Sequence, residues 1–79
     1  MAIIAKNTTG SQVNWGGVYI DSLDQYILQE VDVIRFLTDL DFKAALQSGD
    51  AVINDGINDL GAVDAVFWMQ GYLPNRIKL

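Results

Sequence analysis

The sequence predicts a small single α+β domain over residues 1–79, built from short antiparallel strands or hairpins and two short helices. Three observations carry that reading. Short runs rich in Ile, Val, Tyr and Trp alternate apolar and polar residues, as half-buried strands do. Elsewhere the apolar residues recur at helical spacing. Between these runs stand Gly-Gly and Asp-Gly pairs, which suit tight hairpin turns.

Taken in order, residues 3–8 read as a strand, and Gly10 and Ser11 within "NTTGS" mark a turn. In "QVNWGGVYID", Val13 and Trp15 share one face while Gln12 and Asn14 share the other, and Gly16-Gly17 marks a hairpin turn or a bulge. A phosphate-binding loop needs a longer glycine pattern leading into a helix, which this stretch lacks. "DSLDQ" is a turn, and "YILQEVDV" reads as a strand because Tyr26, Ile27, Leu28, Val31 and Val33 are apolar or β-branched.

"IRFLTDLDFKAALQSGD" is helical. A short turn over residues 34–37 breaks at Thr38-Asp39, and Asp39 or Asp41 then caps the main helix. Phe42, Ala45 and Leu46 form its apolar stripe, and Gly49 ends it by taking the left-handed conformation. "AVIN" and "INDL" flank Asp55-Gly56, a pair suited to a type I′ turn. "GAVDAVFWMQG" reads as the second helix and stops at Gly71. The tail "YLPNRIKL" is expected to be extended, because Pro74 keeps Leu73 out of the helical region.

Composition narrows the function. The chain has no cysteine, so no disulfide and no thiolate metal site, and no histidine, so no imidazole base. Cores of this size seldom contribute more than ~3–5 kcal/mol without a staple or a partner. Yet 51% of the residues are hydrophobic, which predicts apolar surface buried against another subunit, in a homo-oligomer or a hetero-complex. The net charge of −5 argues against direct nucleic-acid binding. All ten acids lie in residues 21–64, with Arg35 and Lys43 the only bases there. No run approaches the ~18 apolar residues of a membrane span, and "MAIIAKNTTG" lacks the layout of a secretory leader.

The acid-rich stretch "SGDAVINDGINDL" is the natural place to look for chemistry. A calcium loop of the D-x-[DN]-x-[DN]-G type needs ligands two and four residues before Asp55, but Ile53 and Ala51 stand there, and the closing glutamate is absent. A looser cation site from Asp50, Asp55 and Asp59 stays open. For catalysis, two carboxylates must have environments that separate their pKa values, and acids in turns stay hydrated. Ser48 has no histidine to activate it. The structural reading places Asp50 after the helix-ending glycine, Asp55-Gly56 in a turn and Asp59 at the positive end of the last helix. No catalytic residue, cofactor, metal or small-molecule substrate is expected.

"LDFKAALQSGDAVINDGINDLGAVDAV", preceded by "NTTG" and "GGVYI", resembles a recurring stretch in small virion proteins of tailed bacteriophages. In those proteins a helix runs into an "SGD" turn, a short strand, "NDG" and a "DL…DA" segment. The helix "VDAVFWMQGYL" is more aromatic here than that pattern. The resemblance implies a non-enzymatic structural subunit of the virion, assembled in the host cytoplasm. Its place would be as a capsid accessory, a head-to-tail component or a fibre anchor, bound to itself or to other virion proteins.

The residues expected to carry such contacts are apolar groups that a thin core cannot use. On the last helix these are Phe67, Trp68, Met69 and Tyr72, with Val63, Val66 and Phe67 expected inward and Trp68 or Tyr72 outward. Residues 2–6 and 75–79 are expected to add strands to a neighbour's sheet, with Ile3, Ile4, Ile77 and Leu79 as anchors. Trp15 is a further candidate, with ordinary packing on the strand face slightly favoured. The alternative function is a small acidic protein that inhibits a host or phage enzyme, using Asp39, Asp41 and Asp50 to mimic nucleic-acid charge.

Overall fold

Strand β1 (Ile3–Asn7) lies inside a four-stranded antiparallel sheet of order β4-β1-β5-β6. Its neighbours are β4 (Gln25–Leu28) and β5 (Ala51–Asn54), and β6 (Asp59–Leu60) pairs with β5. A separate hairpin joins β2 (Val13–Trp15) to β3 (Val18–Ile20). Three helices complete the fold: α1 (Glu30–Leu37), α2 (Leu40–Ser48) and α3 (Ala62–Gln70). The computed structural model describes residues 3–73.

Register sorts the side chains of the large sheet. Ile3 pairs with Leu28, Ala5 with both Tyr26 and Ile53, and Ile53 with Leu60, so all six share one face. Ile3, Ala5, Leu28 and Ile53 on that face are buried. The core forms between it and the helices, through Val33, Phe36 and Leu37 of α1, Phe42 and Leu46 of α2, and Ala65 and Met69 of α3. The opposite face carries Ile4, Lys6, Ile27, Val52, Asn54 and Asp59, and there Lys6 Nζ meets Asp59 Oδ1 at 3.0 Å. A sheet covered on one face and wetter on the other is the usual antiparallel solution.

The α+β class with short antiparallel strands therefore holds, and several elements differ in extent. The expected strand over residues 26–33 ends at Leu28, and α1 begins at Glu30. Strand-favouring Val31 and Val33 are overridden by packing, since Val33 is wholly enclosed by the core. Asp32 assists by accepting the Gln29 N–H at 2.9 Å, the reciprocal half of a capping box. The short turn expected over residues 34–37 is thus the second half of an eight-residue helix.

Asp39, one of the two expected caps, is the N-cap of α2, its Oδ1 accepting from the Phe42 N–H at 3.0 Å. Gly49 ends α2 at φ +89°, as expected. Gly16 and Gly17 both have positive φ, at +60° and +85°, and link paired Trp15 and Val18 in a two-residue turn of the type I′ kind.

The Asp55-Gly56 turn is longer than the sequence suggests. The Asp55 N–H donates to the Asn58 carbonyl at 3.1 Å, which closes a loop over residues 55–58. Asp55 Oδ1 accepts from Ile57 (2.8 Å) and Asn58 (2.7 Å), so a side-chain-built turn replaces the type I′ geometry.

Asn7 and a chain of aromatic rings hold the small hairpin to the rest. Asn7 is 2% exposed, and its Nδ2 shares two hydrogens among the carbonyls of Ser11 (2.8 Å), Ile20 (3.1 Å) and Asp21 (3.0 Å). Its Oδ1 accepts from the main chain (2.9 Å) and hydroxyl (2.7 Å) of Thr9. Trp15 sits edge-on to Phe42 at 5.4 Å and Phe36 edge-on to Phe42 at 5.0 Å, with Tyr26 stacked on Phe36 at 6.3 Å. The "NTTG" and "SGD" turns also meet, since Thr8 Oγ1 donates to the Gly49 carbonyl at 2.7 Å.

Candidate functional site

Helix α3 is apolar on nearly every side, so its own sequence does not say which side faces in. Packing decides it. Ala65 and Met69 are wholly buried and point at β5 and α1. Residues two apart on a helix lie about 200° apart, so Val63 and Phe67 stand on the far side. They are 82% and 79% exposed. This corrects the expected orientation: Val63 and Phe67 face outward, and only Val66 of that trio is partly buried. The last helix is thus not largely buried.

The two outward residues stand over a groove between α2 and α3 with a volume of about 410 Å³. Lys43, Leu46 and Gln47 line it from α2, and Ala62, Val63, Val66, Phe67 and Gln70 from α3. Helix α1 packs against both neighbours, and the groove runs along the line where α2 and α3 fail to close on each other. At its α2 end the exposed Leu40 lies on the stripe of Lys43 and Gln47, at i, i+3 and i+7. Among the described residues Lys6–Asp59 is the one ion pair, and neither Lys43 on the groove nor Asp64 beside Phe67 has an ion-pair partner among them.

The other expected contact residues fall in three groups. Ile3, Trp15 and Met69 belong to the protomer's own core, at 4%, 3% and 0% exposure. This corrects the assignment of Ile3 and Met69 as contact residues, and for Trp15 it agrees with the favoured reading of ordinary packing. Trp68 and Tyr72, one of which was expected to point outward, are half-buried and pack edge to face at 5.2 Å. Ile4 is half-buried on the open sheet face. Its strand has both edges taken by β4 and β5, so strand addition through β1 is closed off. Ile77 and Leu79 lie outside the described residues.

Sequence reasoning also passed over Leu40, Lys43, Gln47 and Gln70. The signal present was a mixed apolar and long-polar stripe on α2 at helical spacing, facing no element adjacent in sequence.

The acids are largely engaged in building the fold. Asp59 was expected at the positive end of α3, but it binds Asn54 Nδ2 (2.8 Å) and Lys6 instead, and Gly61 is the N-cap. The hydrogen bond from Asn54 first, and that from Lys6 second, hold the Asp59 carboxyl below its usual pKa. Hydrogen bonds from the Asn58 and Ile57 main chain lower that of Asp55. Tyr26 donates to Asp32 Oδ2 at 3.1 Å, and that hydrogen bond, with burial and the carboxylate charge behind it, raises the phenol pKa. Asp39, one of the acids a nucleic-acid mimic would display, has both oxygens occupied within the chain.

Among the described residues no three acids gather as a metal-binding group. The groove can therefore bury apolar surface, with Lys43 and the two glutamines available for polar contacts at its rim. No protein-family model, curated protein or solved structure matches this chain.

Proposed function

We propose that this chain is a non-enzymatic structural subunit of a tailed bacteriophage particle, binding itself or other virion proteins through apolar contacts. The observation that carries the reading is the pair Val63 and Phe67, four residues apart, three-quarters or more exposed, and set over an apolar groove. Large exposed apolar groups beside a groove are the mark of a surface that another protein covers. The virion setting rests on the "SGD", "NDG" and "DL…DA" pattern. In the fold those segments are the end of α2, the β5–β6 loop and the approach to α3, and of them only the "DL…DA" segment reaches the groove, through Ala62 and Val63.

The test is the composition of particles purified on a density gradient. Peptides from this chain are quantified against the major capsid protein. The expected result is a fixed whole-number ratio that survives salt washing. Absence of the chain from infectious particles overturns the reading.

A further inference from the structure

We infer that the groove between α2 and α3 is filled by α3 of a second copy of this chain, in a two-fold pairing that places each Phe67 in the other copy's groove. The inference rests on the reading above and names the first partner within it. A slot between two helices takes the apolar face of a third helix, anchored by residues four apart. Among the described residues α3 is the helix that presents two large exposed apolar side chains at that spacing, Val63 and Phe67. Ridge and groove thus lie side by side on one surface, which is the condition for a self-complementary two-fold contact.

Charge agrees with this pairing. Lys43 stands on the α2 wall of the groove, and Asp64 lies on α3 beside Phe67, on the side away from the groove. When α3 crosses its two-fold mate, Asp64 of one copy approaches Lys43 of the other, and neither has an ion-pair partner within the described residues. The patch has far fewer residues than the roughly 20–30 per side of a standard interface, so the dimer is expected to dissociate in the micromolar range.

Sedimentation equilibrium of the full chain, from low micromolar to near-millimolar concentration, tests the pairing. The expected result is a reversible monomer–dimer equilibrium. Phe67→Asp should weaken it by roughly 30-fold or more while leaving the circular dichroism spectrum unchanged. Lys43→Glu and Asp64→Lys should each weaken it, and the two together should restore it. That rescue does not depend on Phe67→Asp folding. A wild-type chain that stays monomeric throughout, or a dimer indifferent to all these changes, overturns the inference. A monomeric chain found in fixed ratio in particles defeats the self-pairing and leaves the virion reading standing. A groove-dependent dimer absent from particles does the reverse.

Discussion

The main-chain N–H of Gly16 donates to Asp39 Oδ2 at 2.6 Å, while Asp39 Oδ1 accepts from the Phe42 N–H at 3.0 Å. One carboxylate thus caps α2 and ties it to the β2–β3 turn. Gly16 can come this close because it has no side chain. A Cβ there would lie 3.1 Å from the Arg35 carbonyl carbon and from Phe36 Cδ1.

Asp39→Ala should therefore cost more than a helix cap alone. Loss of the cap costs about 1 kcal/mol, and loss of the charge-assisted bond to Gly16 adds about 1.5 kcal/mol. Asp39→Asn retains an oxygen for Phe42 but sets an N–H donor against the Gly16 N–H, so it keeps the cap and loses the tie, and its loss should be smaller than that of Asp39→Ala. Urea unfolding followed by tryptophan fluorescence measures both. Equal losses would show that the cap to Phe42 contributes nothing, and an Asp39→Asn protein as stable as the unsubstituted chain would show that the hairpin tie contributes nothing.

Asn7 should be the least replaceable polar residue. Asn7→Ala leaves the enclosed Ile20 carbonyl and its neighbours without their donor, at a cost of about 3 kcal/mol. Asn7→Asp should be no better, because an acceptor oxygen would face three carbonyls. Hydrogen exchange should show the amides of β2 and β3 losing protection first. Uniform loss across the chain would contradict the assignment of Asn7 as the hairpin's anchor.

Leu23 adopts φ +60° at the third position of the turn closed by the Asp24 N–H and the Asp21 carbonyl, and it is 76% exposed. A leucine pays about 1 kcal/mol to stand in the left-handed region. Leu23→Gly relieves that strain but gains flexibility in the unfolded chain. The net expectation is stabilisation by about 0.5 kcal/mol, read as a higher urea midpoint. A lower midpoint would mean that Leu23 makes a contact worth more than its strain.

Stability should fall at acid pH. Asp55 and Asp59 both have folded pKa values below the ordinary 3.8. A depressed carboxyl contributes stability above its unfolded pKa and loses it as pH falls through the folded one. The thermal midpoint should therefore be flat from pH 7 to about 5 and drop below about 4. In Asp59→Asn the drop should be shallower. At the other end, Tyr26 has a raised pKa, so its contribution is complete below 10.0 and is lost as pH rises beyond it. Tyr26→Phe should remove that alkaline component.

Much of the fold was legible in the residues. Alternation placed β2 and β3, because a strand with one buried face must repeat every second residue, while β-branched residues marked β1 and the Asp55-Gly56 pair marked β5. Asp39 and Gly49 bounded α2, because a helix end must satisfy free N–H groups and a left-handed exit favours glycine. Residues 29–33 differ from the expected strand because β-branched Val31 and Val33 favour one locally, whereas the chain packs Val33 into the core as part of a helix and leaves Val31 exposed. Within the groove, Phe67 is expected as a contact residue but with the opposite orientation, and Lys43 and Gln47 are not expected as contact residues.

By itself, then, the sequence determined the α+β class, the Gly16-Gly17 turn, the capping of α2 and the absence of histidine and cysteine. All of these depend on interactions within a few residues or on composition. Tertiary structure alone decided which side of α3 is inward, that β1 sits between two neighbours, and that α2 and α3 leave a groove. Those outcomes depend on which surfaces distant segments offer each other. A helix apolar on every side carries no periodic signal from which that choice can be read.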